Sequence, residues 1–252
     1  MPVVFVGHGS PMNAIEDSEF SRAWISVAHS LPQPKLILSI SAHWETEGVQ
    51  ATAMPKPRTI HDFSGFPPEL FAVQYPASGA PELAQRVRGL LGAKVVTLDQ
   101  AWGLDHGTWS VLVRMYPQAG IPVVQLSLDR QLKPAEHYKL AGQLAALRAE
   151  GVLILCSGNI VHNLRLLEWG DRGLDWAEAF DLKVKRLIEA RDHAALVDYP
   201  KLGADALRAI PTNEHYLPLL YALALRGPAE PLQFFAEKVT LGAISMRSFR
   251  VG

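Results

Sequence analysis

Short apolar runs alternate with longer mixed segments along the chain. Runs of four to six apolar residues bounded by Gly, Pro or Asn are typical of buried parallel strands. They predict strands at residues 3–6, 35–41, 49–54, 94–98, 123–128 and 152–156. Helical patterns cover residues 16–31, 81–91, 134–150, 175–191 and 215–225, with another helix ending at Met115, and two more strands are predicted at 234–239 and 245–251. This order predicts an α/β fold with a mixed, mostly parallel central sheet flanked by helices on both faces.

The 252 residues contain no linker, repeat or low-complexity tract that would divide them. We therefore expect a single domain over residues 1–252. Residues 55–79 form one long irregular segment, rich in proline and carrying four aromatic side chains. A loop of that length is functional or disordered, and its aromatic residues favour an ordered wall of a binding pocket.

The formal net charge is −1, and acidic and basic residues are intermingled instead of forming a basic stripe. This pattern argues against a nucleic-acid partner. The first residues lack a basic leader, and the longest apolar stretch, 217–225, is too short to span a bilayer. The single cysteine, Cys156, cannot form an internal disulfide and is expected in the core. We therefore expect a soluble, cytoplasmic protein with no membrane partner.

Three histidines follow predicted strands: His8, His43 and His162. The carboxyl ends of parallel strands meet at one edge of an open α/β sheet, which is where ligands bind. His215, in the sequence Thr-Asn-Glu-His-Tyr, is a fourth candidate histidine, and polar side chains flank it. Neutral imidazole is the commonest protein ligand of transition metals. The pattern therefore predicts a divalent transition-metal site at this edge.

The other histidines have less distinctive surroundings. His106 lies between Asp105 and Gly107, an arrangement suited to orienting its imidazole as a hydrogen-bond donor beside a metal, and a plain loop-capping role also stays open for it. His61 has two open interpretations: it lines a pocket, or it caps the backbone of its own loop. Polar neighbours in or beside predicted helices indicate a surface position for three more, His29, His137 and His193.

Eight motifs, in this order along the chain, resemble the class III extradiol ring-cleaving dioxygenases of the DOPA dioxygenase type. They are Gly-His-Gly-Ser-Pro-Met at 7–12, Ser-Ala-His-Trp-Glu at 41–45, His-Asp-Phe-Ser-Gly-Phe-Pro at 61–67, Tyr-Pro-Ala at 75–77, Gly-Leu-Asp-His-Gly at 103–107, Ser-Gly-Asn at 157–159, Asn-Glu-His-Tyr-Leu-Pro-Leu at 213–219 and Ser-Met-Arg-Ser at 245–248. The resemblance therefore spans essentially the whole chain.

The resemblance implies that His8, His43 and His215 hold the metal. It implies that His162 lies beside the metal, either as a fourth contact or as the acid/base. Glu214 precedes His215 in a segment predicted to be helical, where adjacent side chains point about a hundred degrees apart, so we expect only His215 to face the ion. The ring-opening activity that the resemblance implies requires Fe(II), but an all-histidine site also suits Zn(II).

The activity implied is insertion of both atoms of O₂ into a DOPA-like catechol, with ring opening to a muconic semialdehyde. The resemblance implies small-molecule partners only, the catechol and O₂. We assign proton transfer to His162 and a hydrogen bond to oxygen or substrate to His106. Substrate contacts are expected from the loop that carries His61, Phe63, Phe66 and Tyr75.

Two other functions stay open at this point. A zinc hydrolase would use metal-bound water, with His162 or Glu214 as the base. A non-catalytic binding relative would keep the fold but is expected to lack part of the histidine set, which this chain has in full. The oligomeric state also stays open.

Overall fold

The computed structural model describes all 252 residues. Its ten strands are β1 Val3–Gly7, β2 Leu36–Thr46, β3 Val49–Thr52, β4 Val96–Asp99, β5 Val123–Asp129, β6 Val152–Gly158, β7 Leu232–Phe235, β8 Val239–Thr240, β9 Ile244–Ser245 and β10 Ser248–Val251. The α-helices are α1 Glu19–Ser30, α2 Pro68–Phe71, α3 Pro81–Leu91, α4 His106–Met115, α5 Pro134–Gly142, α6 Ala146–Ala149, α7 Asp175–Glu189, α8 His193–Val197, α9 Ala206–Ala209 and α10 Leu217–Ala224.

Eight strands form one sheet in the order β4-β3-β5-β2-β6-β1-β10-β7. The four central strands, β5, β2, β6 and β1, are mutually parallel. Antiparallel pairing enters on both sides of them, where β3 meets β5 and where β10 meets β1 and β7. The small strands β8 and β9 form a separate antiparallel pair. The predicted α/β class with a mixed, mostly parallel sheet is confirmed.

Alternate residues of the central strands point into two different cores. In β1, Val3 and Phe5 belong to the larger core, and Val4 and Val6 belong to the smaller one. Helices α3, α5, α7 and α10 cover the first face, whereas α1 and α4 cover the second. Because the sheet is buried on both faces, its central strands are continuously apolar, which is the pattern that predicted them.

The observed elements differ from the predicted ones mainly near the carboxyl edge of the sheet. Strand β2 continues past residue 41 through His43 to Thr46, with a register shift against β5. Helix α10 begins at Leu217, so Glu214 and His215 lie in the turn before it and are not helical neighbours. No helix is both long and apolar enough to cross a membrane.

His137 was predicted at the surface, but it is fully buried. Its Nε2 donates to the backbone carbonyl of Asp129 at 3.1 Å, and its Nδ1 accepts from the Tyr221 hydroxyl at 3.0 Å. His193 is half-buried and contacts the Tyr138 hydroxyl, whereas His29 is exposed as predicted. The polar neighbours of His137 were misleading because only one face of a helix meets solvent.

Candidate metal centre and its cavity

Three histidines from distant parts of the chain meet at the carboxyl edge of the sheet. His8 directly follows β1, His43 lies within β2, and His215 comes just before α10. Each offers one ligand atom, and the three atoms lie within 4.8 Å of one another. Strand β6 separates β1 from β2, so the parallel topology brings the ends of both strands to one side of the site.

In each of these rings Nε2 faces the other histidines, and the contact made by Nδ1 on the opposite side is called the outer contact. The outer contact of His8 determines which of its nitrogens carries the proton. The Ser157 hydroxyl donates its one hydrogen to the carbonyl of Gly107 at 2.5 Å. Ser157 Oγ can therefore only accept from His8 Nδ1, which lies 2.9 Å away. In the neutral ring, His8 Nε2 then keeps a free lone pair.

The other two rings follow the same logic. His215 Nδ1 lies 3.2 Å from Glu214 Oε1, and an ionised carboxylate only accepts hydrogen bonds. His43 Nδ1 lies 3.6 Å from Asp62 Oδ2, close enough for the carboxylate to favour a proton on that nitrogen. Each outer contact therefore leaves Nε2 as the nitrogen with the lone pair.

The rings are held in the neutral form that binds metals. Burial, reinforced by neighbouring histidines, lowers the pKa of His8 and of His215 well below the usual value. Burial and the charge of His106 do the same to the pKa of His43, although Asp62 opposes them. At neutral pH the three imidazoles are therefore uncharged.

These residues fit a divalent metal ion. His8 Nε2 and His43 Nε2 lie 3.0 Å apart, and by their outer contacts both are acceptors. Two lone pairs at that distance repel unless a cation lies between them. His215 Nε2 is buried and has no hydrogen-bond partner. Three neutral imidazole nitrogens facing one point form a typical ligand set for zinc or iron.

Two glycines allow the close packing around these rings. A Cβ at Gly107 would collide with the Ser41 hydroxyl and crowd the ring of His43. A Cβ at Gly158 would collide with the backbone carbonyl of His215. That carbonyl accepts from the backbone N–H of Asn159 at 2.7 Å, which ties the His215 turn to the end of β6.

Asp62, which follows His61 in the long loop, lies against the Nδ1 side of His106 and of His43. Its Oδ1 accepts from the backbone N–H of His106 at 2.9 Å and lies 3.0 Å from His106 Nδ1. The second of these contacts has the distance of an ion pair but not the direction of a hydrogen bond. Burial would raise the pKa of Asp62, but its contacts with His106 and His43 outweigh burial and lower it.

Asp105 was expected to orient His106, and its side chain instead has three other partners. It accepts from the backbone N–H of Thr108 at the start of α4, from the Ser41 hydroxyl and from the Gln125 amide. Burial and the charge of Asp62 raise the pKa of Asp105 to about 6. The N-cap position directs the Asp105 carboxylate into the protein, because an N-cap side chain bonds back to its own helix.

His162 is adjacent to the three converging rings but is not one of them. Its ring stacks on that of His215, with centroids 3.5 Å apart and planes inclined by 6°. Burial and the charge of His106 lower its pKa to about 4. His162 therefore presents a neutral imidazole beside the candidate metal centre.

A cavity of about 590 Å³ opens over the histidines. This volume suits a small-molecule ligand. Its polar wall includes His8, His43, Asp62, His106, His162 and His215. Its apolar wall includes Met12, Phe63, Phe66, Leu164, Leu167 and Trp169.

Phe63 and Phe66 thus line the cavity, whereas the two other loop residues expected at the substrate do not. Tyr75 is buried, and its hydroxyl donates to the backbone carbonyl of Tyr116 at 3.0 Å. His61 Nε2 contacts the carbonyl of Val73 at 3.0 Å, so His61 braces its own loop. Its ring lies behind Phe63, with centroids 5.8 Å apart.

The family model for the catalytic LigB subunit of aromatic ring-opening dioxygenase matches residues 2–249. The chain belongs to this family. A relative from Escherichia coli, named 4,5-DOPA dioxygenase extradiol, is 46% identical over the whole chain and 95% of its own length. A relative of the same name from Beta vulgaris is 38% identical over 98% of the chain and 94% of its own length. The resemblance found in the motifs is confirmed.

A solved structure supports the same assignment. The crystal structure of an uncharacterized protein from Escherichia coli K12 superposes with a TM-score of 0.88 at 42% identity, covering all of both chains. At that identity the likeness is one of sequence as well as fold.

For several residues around this LigB-family site, the sequence predicted no role. Asp62 lies in the His-Asp-Phe motif, in which only His61 and Phe63 were predicted as site residues. Ser157 entered only as the first residue of the Ser-Gly-Asn motif at 157–159, with no role predicted for it. Leu164, Leu167 and Trp169 follow an asparagine without any helical or strand period, so nothing in the sequence marked them as lining a cavity.

Proposed function

We propose that this protein is a metal-dependent extradiol dioxygenase that inserts both atoms of O₂ into a DOPA-like catechol and opens the ring to a muconic semialdehyde. Membership in a family of aromatic ring-opening dioxygenases supports the reaction class. The names of the relatives from Escherichia coli and Beta vulgaris support a catechol substrate. The observation that carries metal dependence is the pair of lone-pair-bearing nitrogens on His8 and His43, 3.0 Å apart.

His8, His43 and His215 would hold the metal ion. When bound, a divalent redox metal such as Fe(II) lets a catechol and O₂ bind side by side and exchange electrons. Three neutral imidazoles leave the full positive charge of the ion uncompensated, which suits a catecholate anion. The same donor set binds zinc, so we expect Zn(II) in protein purified without added iron.

His162 is the group we assign to proton transfer. It lines the cavity beside the cluster and is neutral at physiological pH, so it can accept a proton from a catechol hydroxyl. A catecholate formed next to it would favour the protonated ring and so raise its low pKa during the reaction. His162 could then return the proton to the opening ring.

His106 is the second polar group that we assign to the reaction. Asp62 lies against its Nδ1 side, which leaves Nε2 for a hydrogen bond to bound oxygen or substrate. Its ring centroid lies 3.8 Å from that of His43, so it is close to the cluster without belonging to the three-histidine group.

Phe63 and Phe66 are the residues that we expect to face the catechol ring. Their rings meet edge to face with centroids 5.3 Å apart and line one side of the cavity. Such a wall excludes water and offers aromatic contacts to a planar ligand. His61 and Tyr75, which do not line the cavity, would act only by holding this wall in place.

The deciding experiment compares protein loaded anaerobically with Fe(II) and protein loaded with Zn(II), each mixed with a catechol and O₂. We expect O₂ uptake and a yellow product with iron, at a rate far above that with zinc. Equal rates of substrate consumption with both metals, without O₂ uptake, would favour the hydrolase. Glu214 is a poor candidate for the hydrolase base, because it contacts the outer nitrogen of His215 and does not line the cavity. Catechol binding without turnover by either form would favour a non-catalytic relative.

A further inference from the structure

The Ser-Met-Arg-Ser motif at 245–248 is buried beside the candidate metal centre, yet the reaction proposed above does not use it. None of its four residues lines the cavity, so the motif does not touch a substrate held there. It lies between the segment that carries His162 and the end of the strand that leads into His8. The motif can therefore fix the position of His162 relative to His8.

On one side, the motif pairs with the segment that carries His162. The backbone N–H of Ser245 donates to the carbonyl of Val161 at 2.9 Å, and the preceding Ile244 forms an antiparallel bridge with His162. The side-chain amide of Asn159 donates to the carbonyl of Ser245 at 2.8 Å. The backbone position of His162 therefore depends on the position of the motif.

On the other side, the motif packs against the chain around His8. The Ser248 hydroxyl accepts from the backbone N–H of Gly7 at 2.9 Å. A Cβ at Gly7 would collide with the backbone of Met246, and a Cβ at Gly9 would collide with the Met246 thioether. His8 also has a support outside the motif, because its backbone N–H donates to the last carbonyl of β6 at 3.1 Å. A shift of the motif would therefore displace His162 more than His8.

A buried ion pair anchors the motif to helix α7. The guanidinium of Arg247 donates from Nε and Nη2 to Asp181 Oδ2, at 2.8 and 2.6 Å. The Ser245 hydroxyl donates to Asp181 Oδ1 at 2.6 Å, and Arg247 Nη1 donates to Glu237. Asp181 is 2% exposed and Arg247 is 6% exposed. Both oxygens of the Asp181 carboxylate are thus bonded to the motif.

Stability alone does not explain an ion pair at this depth. Taking both charges out of water costs free energy, and replacing such a pair with apolar residues of similar size often leaves stability unchanged or higher. The pair does supply direction, because the planar guanidinium and the carboxylate orient each other through several hydrogen bonds. It therefore holds the motif in one orientation against α7.

We propose that Arg247 and Asp181 are positioning residues for ring opening: they hold residues 245–248 so that the paired segment keeps His162 facing the substrate. Neither residue touches the substrate itself. The inference rests on the proposed function, because it assumes that His162 transfers a proton in the reaction. A displacement of about 1 Å at such a group can slow a reaction roughly a hundredfold.

The main variant replaces both members of the pair, as Asp181→Leu/Arg247→Met, so that no single charge is left buried. We expect the midpoint of denaturant unfolding, the metal content and KM for a catechol to stay unchanged. The kcat of the iron-loaded protein should fall by roughly a hundredfold. An unchanged kcat, or a loss of the metal, would overturn the proposal.

Combination with His162→Ala separates positioning from a general loss of structure. If the pair acts through His162, adding Asp181→Leu/Arg247→Met to His162→Ala should lower kcat no further, because the group that was positioned is already gone. A general disturbance of the cavity would instead multiply the two losses. Multiplied losses would overturn the proposal.

Hydrogen exchange on zinc-loaded protein tests the same step without turnover. The backbone N–H groups of Ser245 and His162 donate to Val161 and Ala209, and both should lose protection in the paired variant. Protection equal to that of the unaltered protein would contradict the role of the ion pair in holding this segment.

The matched control removes an ion pair at the far end of β1. Arg148 and Glu230 form a bidentate pair beside Met1, just before β1 begins, whereas His8 follows the end of that strand. Arg148→Met/Glu230→Leu should change neither kcat nor the exchange of the two N–H groups. Equal losses of kcat in the two paired variants would contradict a specific role for the pair at α7.

Arg247→Lys carries the test if the paired variant does not fold. Lysine keeps a positive charge next to Asp181 but loses the planar fork that fixes direction. We expect metal content and KM to stay unchanged and kcat to fall, with no further fall when His162→Ala is also present. A kcat equal to that of the unaltered protein would overturn the proposal.

Failure of this inference is distinguishable from failure of the proposed function. If His162→Ala slows ring opening but the variants of the ion pair do not, only the positioning role is wrong. If the iron-loaded protein opens no catechol, or His162→Ala opens it at the full rate, both proposals are wrong.

Discussion

Two buried histidines of this protein differ in whether both of their ring nitrogens have a suitable hydrogen-bond partner. His137, between α5 and α10, bonds through both ring nitrogens, to a backbone carbonyl and to the Tyr221 hydroxyl. His8 is equally buried, but only its outer nitrogen has a protein donor or acceptor that suits it, and its inner nitrogen faces another acceptor on His43. Burial lowers the pKa in both cases. The difference shows that a candidate ligand is marked by an unsatisfied nitrogen, and not by burial.

The largest expected effect separates these two environments by metal content. His8→Ala or His43→Ala should abolish stoichiometric metal binding, because each removes one of three ligands from a small cluster. His137→Ala should retain metal while losing about 1–3 kcal/mol of stability, since it leaves a buried hydroxyl without its partner. Metal analysis after dialysis and denaturant unfolding measure the two quantities.

The exposed His29 provides the control for that comparison. His29→Ala should change neither metal content nor stability. Full metal retention in both His8→Ala and His43→Ala would remove the proposed centre.

The second prediction separates ligands from His162, whose ring stacks on His215. If His162 transfers protons, His162→Ala should keep its metal while ring opening slows by roughly a hundred- to ten-thousand-fold. Single-turnover rates on iron-loaded protein, together with metal analysis, test this. Loss of metal as complete as in His8→Ala would make His162 a fourth ligand and move proton transfer to His106. Turnover close to that of the unaltered protein would exclude His162 from the mechanism.

A smaller effect is expected from Asp62, which contacts the outer side of His43 and His106. Asp62→Asn should weaken metal affinity by about 10- to 100-fold, the usual cost of losing a carboxylate behind a ligating histidine. Competition with a chromophoric chelator measures that affinity. Asp198→Asn, at an exposed ion pair with Lys201, is the matched control and should have no effect. Equal affinities in the two variants would contradict a supporting role for Asp62.

The smallest expected effect is the pH dependence contributed by His137. Burial lowers its pKa in the folded protein below the usual 6.5. As pH falls below about 6.5, the unfolded chain takes up a proton that the folded protein does not, so stability decreases. One such group contributes at most about 1.4 kcal/mol per pH unit. Above that pH its contribution is constant.

Unfolding free energies of metal-free protein between pH 7 and pH 5 measure this effect. His137→Gln, which cannot titrate in this range, should show a shallower slope than the unaltered protein. Identical slopes would mean that His137 gains no proton on unfolding in this window.

The sequence was sufficient for the fold class because central parallel strands, buried on both faces, give continuous apolar runs. It also pointed to His8, His43 and His215 through the motif resemblance. It could not show that Asp105 faces inward as a helix cap, or that Asp62 lies against His106 where Asp105 was expected. That exchange depends on how the long loop folds back over α4, which no local pattern encodes. The burial of His137 depended in the same way on which face of α5 meets α10.

The position of β1 in the sheet has a consequence for how the protein assembles. Val3 pairs with Ile154 in β6 on one side and with Val251 in β10 on the other. The strand that leads into His8 is therefore held by partners made much later during synthesis, and such long-range pairing forms slowly. We expect the nascent chain to acquire its metal only after β6 and β10 have closed around β1. In refolding experiments, metal added at the end should then restore the site as fully as metal present from the start.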